Sequence, residues 1–434
     1  MTNKEYGRNA FLSYIKFATQ IFHFLNERYF IMNTLAINGG KKVFEQPANL
    51  PKWPQIYPET AEKIKDIYLG RRWGFYGPCE AEFNYKFAEY NKVKHSIMMA
   101  NGTVTLEIAM RALGIKAGDE VIVPAHTWLA TGQAVTYLNA VPVVVDIEPD
   151  TLCMDPAAFE AAITPKTTAV IPVHLFGSMA DMDKIMEIAR KHNLAVIEDC
   201  AHTHGSIWAG KYAGSIGDVG SFSFQQSKIM ASGEGGGCTT NSDELADKLG
   251  RLSHIGYPFG AKQGQKVPPP EPGSCCHNYR VTEFQAAILL SQLEHLKEDN
   301  DLRAKNAAYL RKRIDAIPGL RVQAPGRRAD LQAYYSYTVL VDPAYLKPGL
   351  TRHDVMAALQ AEGVNANDMW GHVMYRQNLW SVAPDQFRIE SCKTAEDLVY
   401  NQTMHMALQY LMLSEKETEM VADAFEKVMK AYLA

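Results

Sequence analysis

Between residues 94 and 240 the hydrophobic period of the chain switches repeatedly. Short apolar, mostly β-branched runs alternate with longer amphipathic stretches. Ser96–Ala100, Glu120–Pro124, Val141–Ile147, Ala169–Leu175, Leu194–Glu198 and Gly220–Phe224 read as strands. Thr103–Leu113, Thr127–Leu138 and Asp181–His192 read as helices, with Asp181 an N-cap. Near-continuous apolar strands joined by helices imply a largely parallel sheet buried on both faces. Ligands of such sheets bind beyond the carboxyl ends of the strands, so residues just after each strand are the candidates for chemistry.

The rest of the chain is patterned differently. Gly256–Ser274 is rich in Gly, Pro, Lys and Gln and reads as a surface loop or lid, or a plain linker. Thr282 through Ile314 reads as one long helix, Tyr334–Val341 as a strand, and Arg352–Glu362 and Lys416–Tyr432 as amphipathic helices. The expected organisation is a large cofactor domain over 32–300 and a smaller α+β domain over 301–434. Residues 1–31 read as an extension upstream of a natural start at Met32, or as an amphipathic helix.

Composition narrows the function. The chain has 434 residues, 47% of them hydrophobic, and a formal charge of −4. That balance suits a globular protein and disfavours nucleic acid as a partner. No stretch has the apolar length of a membrane span. The seven cysteines are scattered without a C-x-x-C pair, which suits a reduced, cytoplasmic chain with every cysteine a small buried hydrophobe.

The candidate site begins with Glu198-Asp199-Cys200-Ala201-His202. Asp199 ends an apolar strand, where an unpaired carboxylate is costly. A protonated pyridine nitrogen would partner it. Lys228 follows the Gly220–Phe224 strand and could reach the same cleft. A lysine of lowered pKa with a carboxylate is the working pair of a pyridoxal phosphate enzyme. On spacing alone, an ordinary salt bridge explains Asp199 more simply. Gly102 and Thr103 open a helix, where backbone N–H groups can hold a phosphate, or where the helix is merely capped. Ser223 could add a hydroxyl, or be a plain strand serine. Trp128 could stack on a pyridine ring, or simply pack in the core.

Gly220-Ser221-Phe222-Ser223-Phe224-Gln225-Gln226-Ser227-Lys228 and Gly233-Glu234-Gly235-Gly236 carry a family resemblance. Gly118-Asp119-Glu120-Val121-Ile122, Glu198–His202 and His277-Asn278-Tyr279-Arg280 add to it. Together these strings resemble the DegT-type sugar aminotransferases from about Met32 onward. The resemblance implies the α/β fold type I of pyridoxal phosphate enzymes and a homodimer with shared active sites. It matches Lys228 to the lysine that carries the cofactor and Asp199 to the carboxylate on the pyridine nitrogen. Gly102, Thr103 and Ser223 match phosphate contacts, and Trp128 matches the stacking aromatic. His202 matches a position facing the ring hydroxyl, and Asn278 a residue reaching the phosphate from the partner subunit. Cys276 stands where the family usually has glycine.

Gln225–Lys228 and Asp199–His202 look most like the aminotransferases of aminoglycoside antibiotic biosynthesis. Those move nitrogen from glutamine or glutamate to keto-cyclitols such as scyllo-inosose derivatives. Keto-sugars are a further substrate class. Aminohydroxybenzoate synthases, sugar dehydratases on the same fold and a non-catalytic regulator are the alternatives. Sugar-dehydrating relatives carry histidine where this chain has Lys228. Glu234 and His254 could touch substrate, but a turn carboxylate and a helix-surface histidine explain them more simply.

Overall fold

The computed structural model describes residues 34–434 apart from 47, 75, 262 and 263. The readings made for residues 1–31 therefore lie outside the described residues.

An eight-stranded sheet forms the larger body. Its strands lie in the order His95–Met99, Gly236–Thr240, Val219–Ser223, Ala195–Asp199, Thr167–Val170, Glu120–Pro124, Val141–Val145 and Arg388–Ile389. From Val219–Ser223 to Arg388–Ile389 every pairing is parallel. Gly236–Thr240 runs antiparallel to both of its neighbours. Two reversals restore direction, so the His95–Met99 strand ends on the same side as Ser223 and Asp199. Met99 and Ser223 both pair with Gly236. Sequence reading assigned no strand to Gly236–Thr240, because Gly-Gly-Cys-Thr-Thr lacks the branched apolar residues of a buried strand. The glycine is required by contact: a Cβ on Gly236 would sit 2.5 Å from the Asn101 carbonyl carbon.

The strands pack as a continuous apolar layer. Val121, Ile122 and Val123 are buried, as are Val143, Val144 and Val145. Helices Pro78–Asn91, Gly102–Ala112 and Met182–His192 cover the sheet, and Asp181 caps the last through its carboxylate and the Lys184 N–H. Phe87 meets Phe222 and Phe224 edge-on, at centroid distances of 5.0 and 5.6 Å, a favoured aromatic geometry. The helix expected over Thr127–Leu138 is shorter, Ala130–Thr136, which leaves Thr127 and Trp128 in irregular backbone at the strand ends. The strand expected over Ala169–Leu175 is Thr167–Val170, followed by a 3-10 turn at Leu175–Gly177.

A second core surrounds a three-stranded antiparallel sheet of Leu320–Val322, Ser336–Val341 and Thr403–Ala407. Helix Glu283–Ile314, opened by a Thr282–Gln285 capping box, runs from the first core into the second. The division expected at residue 300 falls inside this helix. Leu35 and Phe44 pack in the second core, while Arg388–Ile389 joins the large sheet. Gly256–Ser274 contains no helix or strand among its described residues. Five cysteines are buried as expected. Cys275 is instead exposed and Cys276 half-buried, because they sit on the loop before Asn278. None of the described helices is long and apolar enough to cross a membrane.

Candidate active site

The carboxyl ends of the strands open into a cavity of about 860 Å³. Asp199, Ser223, Gly102, Thr103, Trp128, His202 and Lys228 all line it. Each lies at or shortly after the carboxyl end of a strand, and the sheet's strand directions bring those ends to one side.

Asp199 is 6% exposed. Its Oδ1 accepts the Ala201 N–H at 3.2 Å, and its Oδ2 accepts the Thr131 hydroxyl at 2.9 Å. Burial pushes the Asp199 carboxyl up, while Ala201, Thr131, Lys228 and His174 oppose the shift. Burial also lowers the Lys228 ammonium to about 8, against the pull of Asp199. The two feel each other's charge, but they do not form the simple salt bridge that spacing alone suggested. A cationic ring nitrogen set against Asp199 would complete the pairing that Lys228 leaves open.

His202 is buried, and its imidazole is held well below its usual range by burial first and by the Lys228 charge second. Its Nδ1 accepts the Phe176 N–H at 3.4 Å, whereas Nε2 has no partner. An orphaned polar atom on a buried side chain in a cavity wall is a vacant position for a ligand group. Trp128 is 40% exposed and tilts against Trp370 with ring centroids 5.8 Å apart. A face is left on which a ring can stack.

The start of helix Gly102–Ala112 packs closely on a neighbouring strand end. A Cβ on Gly102 would meet the Ser223 Cβ at 2.7 Å. Only glycine lets this helix start approach the strand end so closely. The Asn101 side chain accepts from the Thr103 and Val104 N–H groups, so the helix capping expected as the plainer reading is present. It leaves the Thr103 and Ser223 hydroxyls at the cavity wall.

Asn278 lies apart. It is exposed, does not line the cavity, and accepts from Arg280 Nε at 2.8 Å. Its neighbours His277 and Tyr279 do line the cavity. Glu234 reaches the wall as well, whereas His254 is fully buried beneath Tyr76 and away from it. His254 is thus neither a cavity residue nor the helix-surface histidine considered for it. Sequence reading missed Thr131, Tyr335 and Trp370. Thr131 lies in the Ala130–Thr136 helix three residues after Trp128, a proximity that could have pointed to the cavity but not to Asp199. Tyr335 and Trp370 come from the second core's side of the chain, where no local pattern points to the cavity.

A lysine and a buried carboxylate from adjacent strand ends, opening on one cavity with a close glycine–serine contact and an exposed tryptophan in its wall, fit a fold type I pyridoxal phosphate enzyme. Residues 54–426 match the DegT/DnrJ/EryC1/StrS aminotransferase family, to which the chain belongs. It is 43% identical over 338 residues to an L-glutamine:2-deoxy-scyllo-inosose aminotransferase of Streptoalloteichus tenebrarius, covering 76% of this chain and 78% of that protein. A protein of the same description from Streptomyces kanamyceticus is 36% identical, with 91% of this chain and 97% of that one covered. Among solved structures, an aminotransferase from Psychrobacter cryohalolentis superposes with a TM-score of 0.81 at 30% identity, covering 88% of this chain and 99% of that one. A 3-amino-5-hydroxybenzoic acid synthase superposes with a TM-score of 0.78 at 28% identity, covering 89% of this chain and all of that one. The enzyme is an aminotransferase, and its cofactor is pyridoxal phosphate.

Proposed function

We propose that this enzyme moves the amino group of L-glutamine to the ring ketone of a cyclitol of the 2-deoxy-scyllo-inosose class. The observation that carries the reading is the opening of Lys228 and Asp199 onto one cavity without neutralising each other. The substrate class rests on the cyclitol aminotransferases to which the chain is similar.

Bound pyridoxal phosphate supplies an electron-accepting ring and a carbon that exchanges nitrogen between donor and acceptor. In this reading the chain's own residues do the rest. Asp199 stays ionised and holds a proton on the ring nitrogen, supported by the donors on both of its oxygens. His202 Nε2 would take the ring hydroxyl, and Trp128 would cover one ring face. Gly102, Thr103 and Ser223 hold the phosphate. Lys228 would anchor the cofactor, and its freed Nζ would carry the proton from the donor's α-carbon to the nitrogen-exchanging carbon of the cofactor, then carry a proton from that carbon to the ring carbon of the acceptor in the second half of the cycle. A lysine amine titrating near 8 suits that exchange, because it is available in both forms near neutrality. The presence of Lys228 favours nitrogen transfer over dehydration.

Asn278 is proposed to serve the phosphate of a second copy, which makes the working unit a homodimer. Its exposure and its absence from the wall of its own chain's cavity support this role. The cytoplasm is the proposed compartment, on the strength of seven free cysteines. Alkylation in intact cells should find all seven reduced.

The test is to supply L-glutamine and 2-deoxy-scyllo-inosose and follow the nitrogen by mass spectrometry. Wild type should yield the amino-cyclitol with ping-pong kinetics. Lys228→Ala should lose turnover by several orders of magnitude. Wild-type turnover in that variant, or loss of water without nitrogen transfer, would overturn the reading.

A further inference from the structure

Tyr335 enters the cavity from the residues just before the Ser336–Val341 strand of the second core. Three contacts immobilise it. Its backbone N–H donates to the Phe176 carbonyl at 3.1 Å. Its ring stacks on His202, with centroids 4.0 Å apart and planes 8° from parallel. Its hydroxyl lies 3.1 Å from Ser227 Oγ. Ser227 directs its only hydroxyl hydrogen to Gln225 Oε1 at 2.8 Å, so the Tyr335 hydroxyl is the donor to Ser227. The ring therefore cannot swing without breaking a bond. Lys228 Nζ lies 4.7 Å from its centroid, within the distance at which an ammonium is attracted to an aromatic face.

We propose that Tyr335 is the positioning residue for Lys228, a fixed aromatic platform that holds the amine in one place whenever it is not bonded to the cofactor. The inference rests on Lys228 being the cofactor lysine. It adds that the segment leading into the Ser336–Val341 strand supplies the surface on which this amine waits. Ser227 and Gln225 lie beside Lys228 in sequence, so the hydrogen bonds that pin the tyrosine tie the platform to the lysine's own turn. The groups facing the amine are Asp199 at its strand end, His202 and His204 on the turn that follows, and Tyr335. Of these, Asp199 and the tyrosine ring favour the charged form.

The test reads the amine itself, in the full chain purified free of cofactor. Lys228 is labelled competitively with acetic anhydride across pH, and its titration midpoint is read by peptide mass spectrometry. Tyr335→Leu keeps the site apolar but removes the ring. Its midpoint should fall by about 0.4–1.5 pH units, the range expected for a partly desolvated ammonium–arene contact. Tyr335→Phe keeps the ring and should stay within about 0.3 units of wild type. Circular dichroism and thermal midpoints confirm that both variants fold. An unmoved midpoint in folded Tyr335→Leu, or an equal fall in Tyr335→Phe, would overturn the platform. Because this readout needs no turnover, it fails separately from the aminotransferase assay on Lys228→Ala.

Discussion

Replacing Thr131 by valine exchanges its hydroxyl for a methyl of similar size, which deletes the donor to Asp199 and the acceptor for Thr127. In the wild type the Thr131 hydroxyl hydrogen points at Asp199 Oδ2. Thr131 Oγ1 also lies 2.9 Å from Thr127 Oγ1. Since the Thr131 hydrogen is committed to Asp199, Thr127 must be the donor in that second contact. The two hydroxyls thus form a directed chain ending on the carboxylate. An ionised carboxylate accepts these hydrogens more strongly than a neutral acid does, so the arrangement favours the ionised form against the cost of burial. Valine keeps the shape and deletes the donor. A hydrogen bond to a charged acceptor contributes about 1.5–3 kcal/mol. At 1.36 kcal/mol per unit this raises the Asp199 pKa by roughly 1–2 units, and the near-complete burial leaves little solvent screening to reduce it. The sign follows from the acid's role. Asp199 works when ionised, so a higher pKa moves the acid limb of kcat/KM for glutamine upward by the same 1–2 units. The alkaline limb should stay in place. Thr131→Ser restores the donor and should restore the profile. The assay is the pH dependence of glutamine turnover for wild type and both variants, with thermal midpoints as a check of folding. An unshifted acid limb in folded Thr131→Val, or an equal shift in Thr131→Ser, would refute the reasoning.

Gly102→Ala should fold but lose pyridoxal phosphate by at least tenfold in affinity, because its new Cβ would stand 2.7 Å from the Ser223 Cβ; fluorescence titration with cofactor checks this. Mixing Lys228→Ala with Asn278→Ala should regain activity that neither has alone, since a mixed dimer would hold one site with Lys228 from one copy and Asn278 from the other. No regain on mixing would place Asn278 in its own chain's site. Phe222→Ala empties the centre of the Phe87–Phe222–His204 packing and should cost about 3–5 kcal/mol, read as a lower thermal midpoint; an unchanged midpoint would mean that the aromatic layer contributes little.

Local pattern sufficed wherever a segment's own chemistry decided its form. Glu120–Pro124 and Arg352–Glu362 follow the expected bounds, since one is an apolar run and the other an amphipathic period. Gly236–Thr240 escaped because Gly236 answers to Asn101, far away in sequence. Lys228, Asp199, Ser223 and Gly102 were legible for a related reason. Each stands where a strand ends, and strand ends are visible in hydrophobic period. Tyr335 and Trp370 offer no such mark. Their positions depend on how the second core folds back over the sheet.

The sequence by itself determined the repeated strand–helix pattern, and with it the side of the sheet on which chemistry must occur. It also determined the residue types the chemistry uses. Tertiary structure alone decided that Asp199 and Lys228 share a cavity without pairing. It decided, too, that Thr131 feeds Asp199 a hydrogen bond and that Tyr335 lies beneath the Lys228 amine. The physical reason is range. Hydrophobic period and turn chemistry act over a few residues and are written in order along the chain. Burial and directed hydrogen bonds act between groups a hundred residues apart, and they exist only once packing has excluded water between them.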